Sequence, residues 1–329
     1  MSPVAAIILA AGRGTRMNDN THNKVCFECA GIPVIRRLVF NMQEAGVQQF
    51  VVVVGHMAQD VMDALDGIPG LFFVYQKNQN GTGSATLIGL RALRDMGYSG
   101  AAIVSMGDKL SSVSVLKDYV TMAQKSKAIY GVQKTGINLS GGRIAYRDAR
   151  PFGIVEFADA ALMKAWPLPL ESRLKKLLDL GMSEGKALAA LKKIDFLAEK
   201  NHWYIENGTV YVNICGEPFS ADDLLQSPFT NIALYCFDVN EAINALENCT
   251  PQNAQGEIYV TDTMEFFARY GKAKLYVVEN AQDIITYSTK AELIDIISAT
   301  VVRMRLKIGS HSFWESSLQN FEILCAICL

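Results

Sequence analysis

The chain has 329 residues, 50 % hydrophobic and 19 % charged, with 31 Lys and Arg against 33 Asp and Glu for a net charge of −2. That length accommodates one large or two modest domains, and the near-neutral balance gives no electrostatic case for nucleic acid. No apolar run is long enough to span a bilayer, no basic segment precedes the apolar start, and the seven cysteines are an odd number, so a reduced, cytoplasmic protein away from membranes is expected.

Residues 4–10, V-A-A-I-I-L-A, are apolar without interruption, as a strand buried on both faces of a parallel sheet requires. Ala11-Gly12-Arg13-Gly14-Thr15-Arg16 follows, where small residues let the backbone approach a ligand and its N–H groups face phosphate oxygens. Arg16 and Lys24 add positive charge where a polyphosphate would lie. Pro33 opens a helical pattern to Glu44, with Val34, Leu38 and Met42 on one face and Gly46 as its stop. A strand over 50–54, a helix over 59–65 and a strand over 71–75 give βαβ winding. This predicts an α/β fold, a Rossmann-like, mostly parallel sheet flanked by helices. His56 at a strand end reads as a loop histidine rather than a ligand.

Beyond 75, Gly81 and Gly83 permit close approach, the Gln79 amide can pair with a base edge, and Thr82 or Ser84 can cap a helix over 86–96. Residues 101–106 form another buried strand, closed by Gly107-Asp108. Open α/β sheets bind ligands at the carboxyl ends of such strands, and an aspartate there suits Mg²⁺ bridging to phosphate. A helix over 115–125 and a strand over 128–133 follow. Cys26/Cys29 and Cys325/Cys328 have spacing that would suit a shared zinc; buried reduced thiols are the simpler reading.

The string Leu9 to Met17, L-A-A-G-R-G-T-R-M, followed by Lys24, resembles the signature of the sugar-nucleotidyltransferase family. A dinucleotide fingerprint would need glycine where Met17 stands, and no P-loop string occurs. The resemblance implies the nucleotide-diphospho-sugar transferase fold, with an NTP and a sugar 1-phosphate as partners and Mg²⁺ as cofactor. It implies catalytic roles for Arg16, Lys24 and Asp108. Nucleotide contacts would come from Leu9, Ala10, Ala11, Gly12, Gly14, Lys24, Gln79, Gly81, Thr82, Met106 and Gly107. Ser140-Gly141-Gly142-Arg143-Ile144 and Gly153-Ile154-Val155-Glu156 are similar to the family's G-x-G-R-I and G-I-V-E pieces. Asn231-Ile232-Ala233-Leu234-Tyr235 is similar to its N-T-G-I-Y strand. Together these imply that Gly142, Glu156 and Asn231 contact the sugar. The string N-A-Q-G-E-I-Y-V-T-D at 253–262 narrows the resemblance to the N-terminal uridylyltransferase domain of bacterial bifunctional N-acetylglucosamine-1-phosphate uridylyltransferases.

The chain also departs from the pattern. Asn23 stands where proline commonly precedes the lysine, and Ser288 stands where the family's second metal ligand is asparagine. A serine hydroxyl can still coordinate magnesium. About seventy residues, 161–230, form an α+β insertion with helices over 171–180 and 186–200 and a hairpin turning at Asn207-Gly208. It reads either as a surface subdomain or dimer contact, or as a lid or specificity element. The expected division is a nucleotidyltransferase domain over 1–300 interrupted by that insertion, then a tail over 301–329 that is either poorly ordered or oligomer-forming. No hexapeptide repeats of a left-handed β-helix acetyltransferase domain follow. Two rivals stay open: a catalytically weakened nucleotide-sugar-binding relative, and a CTP-dependent transferase onto a non-sugar phosphate such as phosphocholine.

Overall fold

The computed structural model describes residues 3–14, 17, 21–29, 31–136, 141–179, 184–192, 194, 198, 203–249, 257–287, 289–294 and 297. Arg16, Ser288, residues 253–256 of the second-half motif, Cys325, Cys328 and the tail 301–329 lie outside them. In the first half the elements run β1 (Val4–Ala10), α1 (Val34–Glu44), β2 (Gln49–Val54), α2 (Ala58–Ala64), β3 (Leu71–Tyr75), α3 (Thr82–Asp95), β4 (Ala101–Met106), β5 (Lys109–Ser111), α4 (Val113–Ala123) and β6 (Ala128–Lys134).

All seven residues of β1 are buried. The strand lies between β2 and β4 and is parallel to both, and β3 extends the parallel set beyond β2. Successive side chains alternate faces, so β1 feeds two cores. Ile7 and Leu9 pack with Val51 and Val53 of β2 and with Leu90 and Leu93 of α3. Ala6, Ile8 and Ala10 pack with Ile35, Leu38, Val39 and Met42 of α1. The apolar stripe read along 33–44 is the stripe that α1 buries.

The second half runs β7 (Arg143–Arg147), β8 (Arg150–Val155), α5 (Phe157–Ala165), α6 (Leu170–Asp179), α7 (Glu184–Leu191), β9 (Trp203–Glu206), β10 (Thr209–Ile214), β11 (Glu217–Ser220), α8 (Ala221–Leu225), β12 (Phe229–Asp238), α9 (Val239–Glu247), α10 (Thr263–Arg269), β13 (Ala273–Val277) and β14 (Ile284–Thr286). The large sheet has the order β8-β7-β12-β4-β1-β2-β3, with β6 on β12 and β13 on β6. Strand β12 runs antiparallel to β4 and β6, while β13 is parallel to β6. The expected mostly parallel α/β sheet is therefore present, with an antiparallel strand beside its centre.

Within 161–230, Leu162, Met163, Leu177, Trp203, Val212, Phe219 and Leu224 share a core with Ala145 of β7, and Phe152 and Val155 of β8 pack against it. Asn207 and Gly208 both have positive φ, at 49° and 76°, which is what a two-residue hairpin turn demands. Strand β11 and helix α5 were not expected from the sequence.

Two boundaries need correction. Helix α3 begins at Thr82, four residues before the expected start, and Gly81 occupies its N-cap position with no side-chain cap, so neither Thr82 nor Ser84 caps it. A neighbouring segment makes the early turn: the Gly83 N–H donates to the Ile258 carbonyl at 2.7 Å. Helix α4 begins at Val113, capped by Ser112, whose hydroxyl accepts from the Val115 N–H.

Candidate active site

At the carboxyl ends of β1 and β4 a cleft of about 360 Å³ opens. This is the position that open α/β sheets use for ligands. Leu9, Ala10, Ala11, Gly12, Gly14, Lys24, Gln79, Gly81, Thr82, Met106 and Asp108 all line it. Gly107 lies behind them, its N–H donating to the Leu9 carbonyl at 2.9 Å. Asn23, Val25, Gln76, Ala85 and Glu257 also line the cleft and were not among the expected residues.

The loop after β1 is fixed from several sides. Asn23 is buried, and its side-chain amide donates to the His56 carbonyl at 2.8 Å while its Oδ1 accepts from the Val25 N–H at 3.2 Å. Its φ of −64° is one that proline would share, so the backbone course is the one a proline would set. Its own N–H, however, donates to Asp60 at 2.5 Å, a bond that proline cannot make. The Gln79 amide donates to the Ala11 carbonyl at 2.7 Å, tying the segment before α3 to the loop. His56 is exposed, with its backbone N–H on Ala11, in keeping with a loop histidine.

Lys24 and Asp108 form an ion pair with side chains only 12 % and 21 % exposed. Gly14 lies against the lysine stem: a Cβ there would stand 2.9 Å from Lys24 Cβ. The Tyr287 hydroxyl donates to the Lys24 carbonyl, and the Lys24 ammonium sits 5.1 Å from the Tyr287 ring centroid. Lys109, the first residue of β5, is buried beside this pair, and burial pushes its ammonium down to about 8 against the opposing pull of Asp108.

Gly142, Glu156 and Asn231 gather on the antiparallel side of the sheet. The Asn231 N–H donates to the Gly142 carbonyl at 2.8 Å, and a Cβ on Gly142 would lie 3.4 Å from a Glu156 carboxylate oxygen. Asn231 is already engaged: its amide donates to the Tyr235 hydroxyl at 2.9 Å and its Oδ1 accepts from the Ala233 N–H at 3.0 Å. Burial raises the Glu156 pKa, with Asp159 and Asp262 adding to the shift.

The segment 257–262 joins the two groups. Ile258 bonds Asn80 and Gly83, the Val260 N–H donates to the Thr82 hydroxyl at 3.2 Å, and the segment ends on Asp262 near Glu156. The glycines at 81 and 83 are thus needed for contact with this segment, since a Cβ on either would fall within 3.0 Å of Ile258. Spacing alone did not assign the motif at 253–262 a role, because its contacts lie some 175 residues away, as in the 178-residue separation of Val260 and Thr82.

Residues 6–133 match the MobA-like NTP transferase domain family. The chain resembles the NTP transferases. The bifunctional protein GlmU of Geotalea uraniireducens is 38 % identical over 133 residues, covering 40 % of this chain and 28 % of that protein. GlmU of Anaeromyxobacter dehalogenans is 40 % identical over 167 residues, covering 48 % and 33 %. A longer match, to GlmU of Acetivibrio thermocellus, is 24 % identical over 317 residues and covers 94 % of this chain and 55 % of that protein. The chain thus spans only about a third to a half of the length of these curated relatives. Among solved structures, UDP-glucose pyrophosphorylase complexed with UDP-glucose has a TM-score of 0.60 at 17 % identity, over 92 % of this chain and 100 % of that one. A Bacillus anthracis protein named as a glucose-1-phosphate thymidylyltransferase has a TM-score of 0.59 at 16 % identity, over 90 % and 94 %. At these identities the structures establish the shared fold, and the resemblance read from the motifs is borne out.

Among the described residues no cluster of three or more His, Cys, Asp or Glu gathers in metal-binding geometry. Cys26 and Cys29 are reduced, and burial, with Asp60 adding, pushes the Cys26 thiol up to about 12; Cys325 and Cys328, the other half of the conceivable shared zinc site, lie outside the described residues. A magnesium bound chiefly by substrate phosphates needs only one or two protein carboxylates, and Asp108 in the cleft fits that donor set. No helix among the described residues is long and apolar enough to cross a membrane.

Proposed function

We propose that the protein is a nucleotidyltransferase that makes an NDP-sugar and pyrophosphate from an NTP and a sugar 1-phosphate. The observation that carries this reading is the convergence of Lys24 and Asp108 with the glycine loop 11–14 on one wall and Gln79, Gly81 and Thr82 on the other, within one cleft. In the reaction a sugar-phosphate oxygen bonds to the α-phosphorus as the bond from that phosphorus to the pyrophosphate oxygen breaks. Such a displacement depends on alignment and charge neutralisation more than on an acid or base.

The loop N–H groups and Arg16 would hold the triphosphate, and Lys24 would lie between the two substrates. Mg²⁺ on Asp108, with Ser288 as second ligand, would supply neutralising charge to the phosphates. Gly142, Glu156 and Asn231 would orient the sugar, the Glu156 carboxylate accepting from paired hydroxyls. A uridine nucleotide with a hexose or N-acetylhexosamine 1-phosphate is the preferred pair, in a 1–300 domain whose insertion at 161–230 stands beside the sugar side.

The test is a pyrophosphate-release screen crossing the four NTPs with phosphorylated sugars and alcohols, with Mg²⁺ present. Release with at least one sugar 1-phosphate, abolished by Lys24→Ala and by Asp108→Ala, is the expected result. Release with CTP and phosphocholine alone would assign the non-sugar reaction. Nucleotide binding without release would assign a binding protein. Full turnover by either variant would overturn the site.

A further inference from the structure

Lys24 is held by a residue to which the motif reading gave no role. Tyr287 follows β14, which reaches the cleft because Thr286 pairs with Lys109, next to Asp108. The tyrosine is buried, 2 % exposed, in a small cluster with Met17, Cys29, Val34 and Leu293. Its hydroxyl donates to the Lys24 carbonyl, and its ring stands 5.1 Å from the Lys24 ammonium. The lysine is therefore bounded on three sides: Gly14 against its stem, Asp108 at its charge, and an aromatic ring beside the charge.

A lysine ammonium on a four-carbon stem has many rotamers, and holding it in one of them costs entropy. A neighbouring ring removes alternatives and attracts the cation through its quadrupole, more strongly where water is excluded. We propose that Tyr287 is a positioning residue: its ring keeps the Lys24 ammonium aimed at the phosphates, and its hydroxyl fixes the backbone from which that side chain springs. The inference rests on the assignment of Lys24 to the phosphate region of a nucleotidyl-transfer site. Tyr287 touches no reacting atom in this scheme. It acts through Lys24, and its loss falls on the oriented transition state more than on nucleotide capture.

Two arms test this on the full chain. In the first, protein labelled with ¹³C-lysine is examined by NMR without substrate, the Lys24 ε-methylene being assigned by its loss in Lys24→Arg. The ring predicts an upfield-shifted Lys24 signal in the wild type and in Tyr287→Phe, and a return to the exposed-lysine position in Tyr287→Leu. In the second arm, kcat for pyrophosphate release falls about tenfold or more in Tyr287→Leu while the KM for NTP stays within about threefold, and Tyr287→Phe recovers most of the loss. Thermal melts confirm that each variant is folded at the assay temperature.

A wild-type Lys24 signal with no ring shift, or one that Tyr287→Leu leaves in place, overturns the proposal whatever the enzyme does. So does unreduced kcat in Tyr287→Leu, or an equal loss in Tyr287→Phe. If the wild type releases no pyrophosphate with any substrate pair, the nucleotidyl-transfer reading fails instead, and the NMR arm still decides whether Tyr287 holds Lys24.

Discussion

Lys24 and Asp108, 84 residues apart in sequence, pair their charges across the mouth of the cleft. With Mg²⁺ assigned to Asp108 as proposed, an ammonium and a divalent cation would compete there for one carboxylate. With side chains 12 % and 21 % exposed, the pair is screened less than a surface ion pair. Removing the lysine leaves a partly buried carboxylate without its counter-charge, which a metal can then satisfy. Lys24→Ala should therefore bind Mn²⁺, without nucleotide, about tenfold more tightly than the wild type, a change of about 1.4 kcal/mol. Titration calorimetry or Mn²⁺ electron paramagnetic resonance measures this directly. Equal affinities would mean that the lysine does not compete for the carboxylate.

Ala233 carries a strain that the strand pattern did not reveal. Its φ is 52°, at the irregularity in β12 between Asn231 and Tyr235, where the Asn231 side chain accepts the Ala233 N–H. A side chain in the left-handed region costs about 1–2 kcal/mol, and glycine's extra freedom in the unfolded chain returns about half of that. Ala233→Gly should raise stability by about 0.5–1 kcal/mol, read from the urea midpoint at unchanged slope. A loss of stability would show that the methyl's packing outweighs the strain.

Asp262 gives a pH signature. Burial, with Glu265 adding and the Tyr259 N–H opposing, pushes its carboxyl from 3.8 up to about 6. A folded-state pKa above the unfolded one contributes stability below about pH 4 and loses it as pH rises through 6, because the folded state then holds the extra proton. At pH 7.5 the wild type bears the full cost of the charge, at most about 3 kcal/mol. Asparagine keeps an oxygen acceptor for the Tyr259 N–H, now 3.0 Å from Asp262 Oδ2. Asp262→Asn should be more stable than the wild type at pH 7.5, with the difference shrinking towards pH 4. Urea titrations at the two pH values test this; a difference independent of pH would contradict the burial argument.

How much of this was readable in advance follows from where the determining contacts lie. β1 was legible because seven uncharged apolar residues leave no exposed face. The stripe of α1 was legible because a helix repeats every 3.6 residues. The cleft was largely legible because its lining comes from strand ends and glycine loops, features of local chemistry. The first turn of α3 was not, since Thr82, Gly83 and Ser84 have poor helix propensity and Ile258 imposes the turn from far along the chain. Asn23 looked like a defect until its bonds to His56, Val25 and Asp60 showed it holding the loop. Tyr287 lies 263 residues from Lys24, in a stretch with no periodic signal, and only the pairing of β14 with β5 brings it there.

Gly81 offers the sharpest test of the link between the proposed nucleotide and sugar sides. Its φ is 94°, and an added Cβ would stand 2.5 Å from the Ile258 carbonyl oxygen and 2.8 Å from Glu257 Cβ. Backbone oxygen cannot swing aside as a side-chain tip can, so the segment 257–262 must shift. Gly97, after the far end of the same helix, has a similar φ of 80° but open space around it. Gly97→Ala should cost about 0.5–1 kcal/mol, the dihedral strain less the unfolded-state freedom that alanine gives up. Gly81→Ala should cost about 1–3 kcal/mol more through overpacking. It should also weaken nucleotide binding, because displacing Ile258 pulls on Asn80, Gly83 and, through Val260, on Thr82. Parallel urea curves and nucleotide titrations separate the two effects: a Gly81→Ala protein no less stable than Gly97→Ala would mean that the segment yields freely and does not brace the cleft.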